Sequence, residues 1–559
     1  MMIHGEVWKP TEISFTSTAK YKDAFYEAEM DLVVSDKEGK SWKIPAFWAG
    51  GDTWKARFSA PAPGTYSYRT ECSNQSDTGL DGQQGTIEIE EYKGNNPLYI
   101  HGPIRVMENG RYFEHEDKTP FAWLGDTWWN MESSRMSEEG EIEYLAKDRA
   151  EKGFTIISVV NGFWCDLKIY DDRMKNAAGF AWNGEFDTIN PEFYNIVDQK
   201  IEQITDAGLM VAMAATWGFY IHCMGLEKMK KHVRYMIARY AAYPVVWLTA
   251  GEATMPYYDD MLVSEGVYNY YFTPEGKLGA LVEKAMTEWT EIIEFTKAVD
   301  PYHRLVTVHT RVNDISTDIV KKPELLDFIV YQAGRHNEDR ETVAAGTADC
   351  TARSLKQEPK RPVVNAECCY EGMLYQCSPA LQRWIFWHSV LTGCAGWTYG
   401  ANGMFTANHE KELFGIPHYG LCWGEQTWQE AVHFEGSKHV GCCRKYLNQY
   451  EWWKLKPLTD VVEEPENTEL YEETVAAEIG GHLIMAYMQK DVMKLRKAGL
   501  PWLIQFKNLR AGTKYQIKAY NPIRDYETKL GEAVVDDDGR LATPTLPVFQ
   551  DWLVVLEQI

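Results

Sequence analysis

The chain has 559 residues, too many for one ordinary core, so two to four domains are expected. Apolar residues make up 45% and charged residues 25%, which excludes extensive disorder. A net charge of -24 argues against nucleic acid and anionic membranes as partners, because phosphate is bound by clustered Lys and Arg.

The first stretch, "MMIHGEVWKPTE", has no basic segment followed by an apolar run, and no secretory signal is read there. With no stretch near ~18 uninterrupted apolar residues in the chain, the expectation is a cytoplasmic protein without a membrane span. Residues 1–94 then alternate apolar and polar positions in short runs such as "EISFTST", "AEMDLVVSD" and "GTIEIEE", broken by "PAPGTY" and "DGQQGT". That period predicts an immunoglobulin-like antiparallel β-sandwich. A small hairpin around "RVMENGRYFEHEDKTP" leads into the next region.

Between 95 and 452 the pattern changes to eight apolar runs separated by amphipathic helical stretches. The runs are 121–126, 155–161, 209–217, 245–252, 304–310, 326–333, 362–367 and 393–399. Near-continuous apolar strands are buried on both faces, and eight βα units predict a (β/α)8 TIM barrel. An open doubly wound sheet is the rival, but no run leads into a GxGxxG loop or P-loop. From 453 to 559 short alternating strands return and predict a second antiparallel β-sandwich. The 11 Cys are scattered, with Cys368–Cys369 and Cys442–Cys443 adjacent, and form neither a disulfide frame nor a zinc pair. No metal and no cofactor are expected, and homo-oligomerisation is left open.

A barrel's active site lies at the carboxyl ends of its strands. The runs end in Asp126, Asn161, Trp217, Glu252, His309, Tyr331 with Gln332, Glu367, and Trp397 with Tyr399; Trp128 and Trp129 follow the first. A polar residue at a strand end also simply marks where solvent begins. Two Glu on the fourth and seventh runs, ringed by aromatics, are nonetheless the equipment of glycoside hydrolysis: one acid protonates the leaving oxygen, and a second carboxylate attacks or activates water. Aromatic faces hold the sugar, and the composition of 21 Trp and 32 Tyr fits that use. Strands four and seven of a barrel can bring carboxyls to about 5–5.5 Å, the retaining separation.

The segments "FAWLGDTWWNM" (121–131), "KGFTIISVVNGF" (152–163) and "RPVVNAECCYEG" (361–372), behind the N-terminal "VWKPTEISFTSTAKYKDAFYEAEMDLVVSD", resemble the apiosidase-like glycosidase family over roughly residues 1–450. The order of the two acids is similar to that of the large retaining clan A. The resemblance implies Glu252 as acid/base and Glu367 as nucleophile, Tyr331 hydrogen-bonded to the nucleophile, and Trp397 as a platform under the sugar. Asp126 is read as a sugar ligand or a charge-tuning group, and His309 as a hydroxyl ligand. Glu371 is the rival nucleophile. Gly251 stands where many clan A enzymes place an Asn that reads the sugar 2-hydroxyl, and Glu252 stands where apiosidases carry an Asp.

The expected substrate is a glycoside or short oligosaccharide, of furanoside type (apiose, arabinofuranose or galactofuranose). The alternatives are a β-glucosidase or β-xylosidase type of pyranosidase and an inactive carbohydrate-binding protein. Long Tyr- and Trp-rich loops at 163–187 and 253–276 are expected to wall the mouth into a pocket and favour exo-action.

Overall fold

A computed structural model describes residues 2–165, 167–255, 277–334, 339–416 and 423–559. The predicted loop at 253–276 therefore lies, from 256 on, outside the described residues. Near the N-terminus, five strands lie side by side in the order Ile3–Glu6, Gln84–Glu90, Gly64–Cys72, Met30–Ser35 and Ser41–Pro45. A three-stranded sheet of Thr11–Thr16, Thr53–Phe58 and Phe47–Gly50 packs on them. Alternation sets the interface: in "TEISFT", Thr11, Ile13 and Phe15 are buried and the residues between them exposed, and Ile13 and Phe15 meet Met30, Leu32, Val34 and Ile87 in one core.

Buried charges fasten this sandwich to the helices of the central region. Arg57 reaches Asp198 at 2.5 Å and the carbonyl of Arg239 at 2.8 Å, while Arg239 holds the same carboxylate at 2.7 Å. A three-stranded sheet of Ile104–Val106, Phe113–His115 and Pro120–Phe121 comes next in the chain. Its Phe113 ring sits 5.8 Å from Trp123 and 5.5 Å from Phe328.

The centre is a parallel sheet of seven strands. In chain order they are β1 (Trp123–Thr127), β2 (Ile156–Val160), β3 (Met210–Trp217), β4 (Val245–Gly251), β5 (Ile329–Gln332), β6 (Val363–Glu367) and β7 (Gly396–Tyr399). They pair in the order β4-β3-β2-β1-β7-β6-β5. β1 to β4 are the first four predicted runs, and β5 to β7 are the sixth to eighth. Helices Glu141–Lys152, Pro191–Asp206, Leu226–Tyr240, Lys277–Val299, Arg340–Leu355, Pro379–Leu391 and Glu435–Leu447 alternate with them.

The fifth predicted run, 304–310, lies between the sheet's two ends without forming a regular strand. Its Thr307 N–H donates to Trp247 O at 2.8 Å, and Asp327 N–H donates to Val306 O at 2.9 Å. Side chains occupy groups that a ladder would have used: Asp327 accepts from Val306 N at 2.8 Å, and the Thr307 hydroxyl donates to Phe328 O at 2.8 Å.

The C-terminal region, predicted as a second antiparallel sandwich, has two sheets of very unequal size. It is one six-stranded sheet, from Lys456–Leu458 to Trp552–Gln558, with a two-stranded ribbon of Gln505–Phe506 and Leu541–Ala542. Both faces of the large sheet are apolar. Met485, Tyr487, Leu553 and Val555 join the central core, while Ala486, Met488, Val554 and Leu556 pack with the ribbon's Phe506 and Leu541. Arg383, on helix Pro379–Leu391, latches the two regions with a bidentate bond to Asp551 at 2.6 and 2.7 Å, and Tyr487 donates to the same carboxylate at 2.7 Å. No helix among the described residues is long and apolar enough to cross a membrane.

Candidate active site

Glu367 ends β6, and a bulge decides where it points. In a parallel ladder, paired residues share a face, and the pairs run Ile329↔Val363, Val330↔Val364, Tyr331↔Asn365 and then Gln332↔Glu367, skipping Ala366. The extra residue puts Glu367 on the same side as Gln332, whose amide donates to its Oε1 at 2.9 Å. His309 Nε2 stands 3.5 Å from Oε2. Burial pushes His309 down to about 4, so the imidazole is neutral at physiological pH.

Trp129 roofs this group. Its ring meets His309 edge-on at 5.4 Å and Trp217 at 5.5 Å, and its indole N–H donates to the Tyr370 hydroxyl at 2.9 Å. Tyr370 in turn hydrogen-bonds Glu367, and burial together with that carboxylate holds its phenol well above the ordinary value. The sequence reading missed Tyr370. The signal was its place three residues past Glu367, and Gly400 makes room for it: a Cβ there would lie 2.0 Å from the Tyr370 ring.

Glu252 follows β4, whose last turn is irregular. The β3–β4 register shifts after Met213↔Trp247 and again before Trp217↔Gly251, and Thr249 and Glu252 carry φ of +57° and +38°. Positive φ at a β-branched residue is a genuine strain. It is held by His309, whose N–H is shared between Leu248 O and Ala250 O at 3.2 and 3.1 Å, and whose carbonyl accepts from Ala253 N at 3.1 Å. Glu252 and Glu367 are 5% and 4% exposed, and His309 joins their strand ends, bonding the backbone on both sides of Glu252 and lying 3.5 Å from the Glu367 carboxylate. Gly251 also finds its reason here: a Cβ would lie 2.4 Å from the Trp217 ring. No Asn fits beside that indole.

Several predicted site residues sit elsewhere. Tyr331 is a correction: it lies on the opposite face of β5 from Gln332, and its hydroxyl bonds Thr351 Oγ1 at 2.8 Å, not Glu367. Trp397 is a second one. It pairs with Asn365 and packs edge-on against Phe386 of the surrounding helix at 6.0 Å, so it lies between sheet and helix, where no sugar stacks on it. Tyr399, two residues on and on the same face, donates to Glu371 Oε2 at 2.5 Å. Glu371 also accepts from Gly436 N at 3.1 Å, which commits the rival nucleophile to a structural role.

Asp126 is fully buried and accepts from Thr127 N and Trp128 Nε1, each at 2.9 Å, and from Arg149 Nε at 2.6 Å. It and Trp128 therefore belong to the packing between β1 and helix Glu141–Lys152. Asn161 is fully buried and donates to Ala214 O at 3.4 Å. The structure thus brings together Trp129, Trp217, His309, Gln332 and Glu367, with Glu252 at the end of the strand that His309 bonds, and leaves Asp126, Trp128, Asn161, Tyr331, Trp397 and Tyr399 in the surrounding core.

Two buried titratable side chains brace the loops above β1 and β2. Glu132 accepts from Gly162 N at 2.8 Å, and burial pushes its carboxyl up to about 8. Lys200 donates to the carbonyls of Met131, Ser133 and Met136 at 2.9, 2.8 and 2.6 Å, and burial pushes its amine down to about 8. Loop 163–187 is packed as well, with Trp164 meeting Phe405 and Phe414 at 6.0 and 5.7 Å. Among the described residues no group of His, Cys, Asp and Glu is arranged to hold a metal ion.

A family described as "Apiosidase-like, catalytic domain" matches residues 107–454, a span that contains β1 to β7 and both carboxylates. The chain belongs to the apiosidase-like family. Residues 4–73 match a "Domain of unknown function (DUF5060)", which in this apiosidase-like chain is the N-terminal sandwich. No curated protein matches the sequence. A solved glycoside hydrolase is 20% identical at a TM-score of 0.64, covering 83% of this chain and 98% of that one. A glycoside hydrolase family 5 structure from Bacteroides vulgatus is 18% identical at 0.65, covering 83% and 95%. A putative glycoside hydrolase from the same organism is 16% identical at 0.68, covering 100% of both chains. At these identities the solved structures speak to the fold, and membership of the apiosidase-like family to a glycosidase acting on carbohydrate.

Proposed function

We propose that this chain is a retaining glycoside hydrolase in which Glu252 is the acid/base and Glu367 the nucleophile. The observation that carries the reading is the β6 bulge, which turns Glu367 into a cluster with Gln332, His309, Trp129 and Tyr370, next to the strand end bearing Glu252. Glu252 protonates the glycosidic oxygen as Glu367 attacks the anomeric carbon. Glu252 then takes a proton from the water that releases the sugar from Glu367. The Gln332 amide fixes one oxygen of Glu367 and so orients the other toward the anomeric carbon.

Segment 304–310, bonded both to β4 and to the residues leading into β5, supports a closed eight-membered barrel spanning 95–452 between units 1–94 and 453–559. Packing of loop 163–187 against the loop after β7 supports a walled mouth and exo-action on short oligosaccharides. The substrate class put forward is a furanoside. The test is a panel of aryl furanosides and pyranosides with Glu252→Ala and Glu367→Ala. Both variants are expected to lose at least about a hundredfold in kcat, with azide rescuing only Glu252→Ala and the product keeping its anomeric configuration. Wild-type rates in both would refute the mechanism.

A further inference from the structure

Two buried polar atoms beside the carboxylates have no hydrogen-bond partner among the described residues: the indole Nε1 of Trp217 and the amide Oε1 of Gln332, on side chains of residues 2% and 4% exposed. A buried donor or acceptor left unpaired is costly, and at a binding site the missing partner is the ligand. The orientation of Gln332 is fixed by its neighbour. A carboxylate only accepts, so the amide nitrogen faces Glu367 Oε1 at 2.9 Å and the amide oxygen faces away from it. Trp397 Nε1 is unbonded too, but that ring lies between sheet and helix against Phe386. Trp217 is placed differently.

Trp217 ends β3 and pairs with Gly251, the residue before Glu252. The benzo edge of its indole fills the space a side chain at 251 would take: a Cβ there would lie 2.4 Å from Cε3 and 2.7 Å from Cζ3. Nε1 belongs to the other edge of the bicyclic ring, so the N–H points away from the β4 backbone. The same ring meets Trp129 at 5.5 Å and 83°. Trp129 in turn meets His309, which stands 3.5 Å from Glu367. Trp217 is thus tied on one side to the residue preceding the acid and on the other, through two rings, to the nucleophile. The atoms on which both carboxylates act are the anomeric carbon and its oxygen. The hydroxyl on the adjacent ring carbon is the sugar hydroxyl nearest to them.

We propose that Trp217 is a specificity-determining residue whose indole N–H donates to the hydroxyl next to the anomeric carbon, with Gln332 Oε1 accepting from a hydroxyl of the same sugar. A hydroxyl both donates and accepts, whereas an indole N–H only donates and an amide oxygen only accepts, so one sugar satisfies both atoms. This deepens the glycosidase reading and rests on it for the substrate class.

The test compares 4-nitrophenyl furanosides and pyranosides with their monodeoxy analogues on wild type and Trp217→Phe. It reads kcat/KM for the glycosides and the calorimetric Kd of the corresponding free sugars and deoxy sugars. Trp217→Phe keeps an aromatic ring and removes the N–H. It is expected to shrink the wild-type preference for the parent over the 2-deoxy analogue at least about tenfold, with preferences at the other hydroxyls moving less than about twofold. Both substrates meet the same enzyme, so any loss of folded protein cancels from each ratio. Gly251→Ala crowds the same indole and should shrink the same ratio, which decides the matter if Trp217→Phe does not fold. Wild-type ratios in the folded variant, the result if the N–H rests on the Trp129 ring, would overturn the proposal. So would a change confined to another hydroxyl, or wild type that binds none of the sugars. A wild type that hydrolyses no glycoside, yet whose Kd ratio depends on Trp217, would sink the catalytic reading and leave this one standing.

Discussion

Asp126→Asn separates the two roles that a carboxylate at the end of β1 could play. Asp126 and Arg149 are both fully buried, and the guanidinium's other contacts are Asp148 at 2.6 Å and Val432 O at 3.3 Å. Asparagine keeps the shape and the bond from Trp128 Nε1 but removes the charge facing Arg149 Nε. Breaking one side of a buried ion pair costs about 3–5 kcal/mol, because the remaining charge stays desolvated. The expected result is a large drop in the urea midpoint followed by circular dichroism, with KM for a turned-over aryl glycoside within about twofold of wild type at a temperature where the variant is folded. An unchanged midpoint with a KM raised tenfold or more would refute the structural assignment and return Asp126 to the sugar.

Gln332→Ala should lower kcat by about 10–100-fold with a smaller change in KM, the worth of one hydrogen bond to a charged group; steady-state kinetics checks this. Gly251→Ala should cost about 1–3 kcal/mol by driving a methyl into the Trp217 ring and should slow hydrolysis by displacing Glu252, and a thermal melt read beside kcat tests both effects. Glu132 gives a pH prediction. Its folded carboxyl is raised to about 8 from an ordinary 4.5, so the stability it contributes is complete below pH 4.5 and is lost as pH rises toward 8. Glu132→Gln should flatten that part of the stability–pH curve, measured by urea midpoints at intervals across the window. Lys200 works in the opposite sense between about 8 and 10.5, where stability is regained as the amine deprotonates in the unfolded chain too.

Apolar periodicity carried the layers of this fold well, because burial on both faces leaves a continuous apolar run whatever the neighbours are. Thus β2 to β7 lie inside predicted runs and β1 passes the end of its run by one residue, Thr127, and the alternation of 1–94 marks a real sandwich. Side-chain direction was far less legible. Tyr331 and Gln332 are adjacent, so one must face away, and only the bulge at Ala366 reveals that Gln332 is the one that reaches Glu367. Trp397 was expected as a platform because the family resemblance implied one at that strand end, but its ladder partner is Asn365, on the outer face. Asp126 looked chemical because its counter-ion, Arg149, comes from the following helix at no recognisable spacing. The fifth run was read at 304–310, but its irregularity was not legible, because Asp327 and Thr307 replace ladder bonds with side-chain ones and nothing in an apolar pattern records that. Tyr370 was overlooked since it lies past the strand, where a loop rather than a period sets its position.

The latch between Arg383 and Asp551 also bears on how this chain is divided. The stretch that defines the family ends at residue 454, yet the molecule has no seam there. A chain cut at that point would strand the Arg383 guanidinium, 4% exposed in the intact protein, without its carboxylate, and would bare the core face formed by Met485, Tyr487, Leu553 and Val555. The unit that sequence comparison recognises is thus smaller than the unit that folds. The helix leading away from the Glu367 strand is held from outside the family's own boundaries, so the last hundred residues act as a buttress for that strand and not as a detachable appendage.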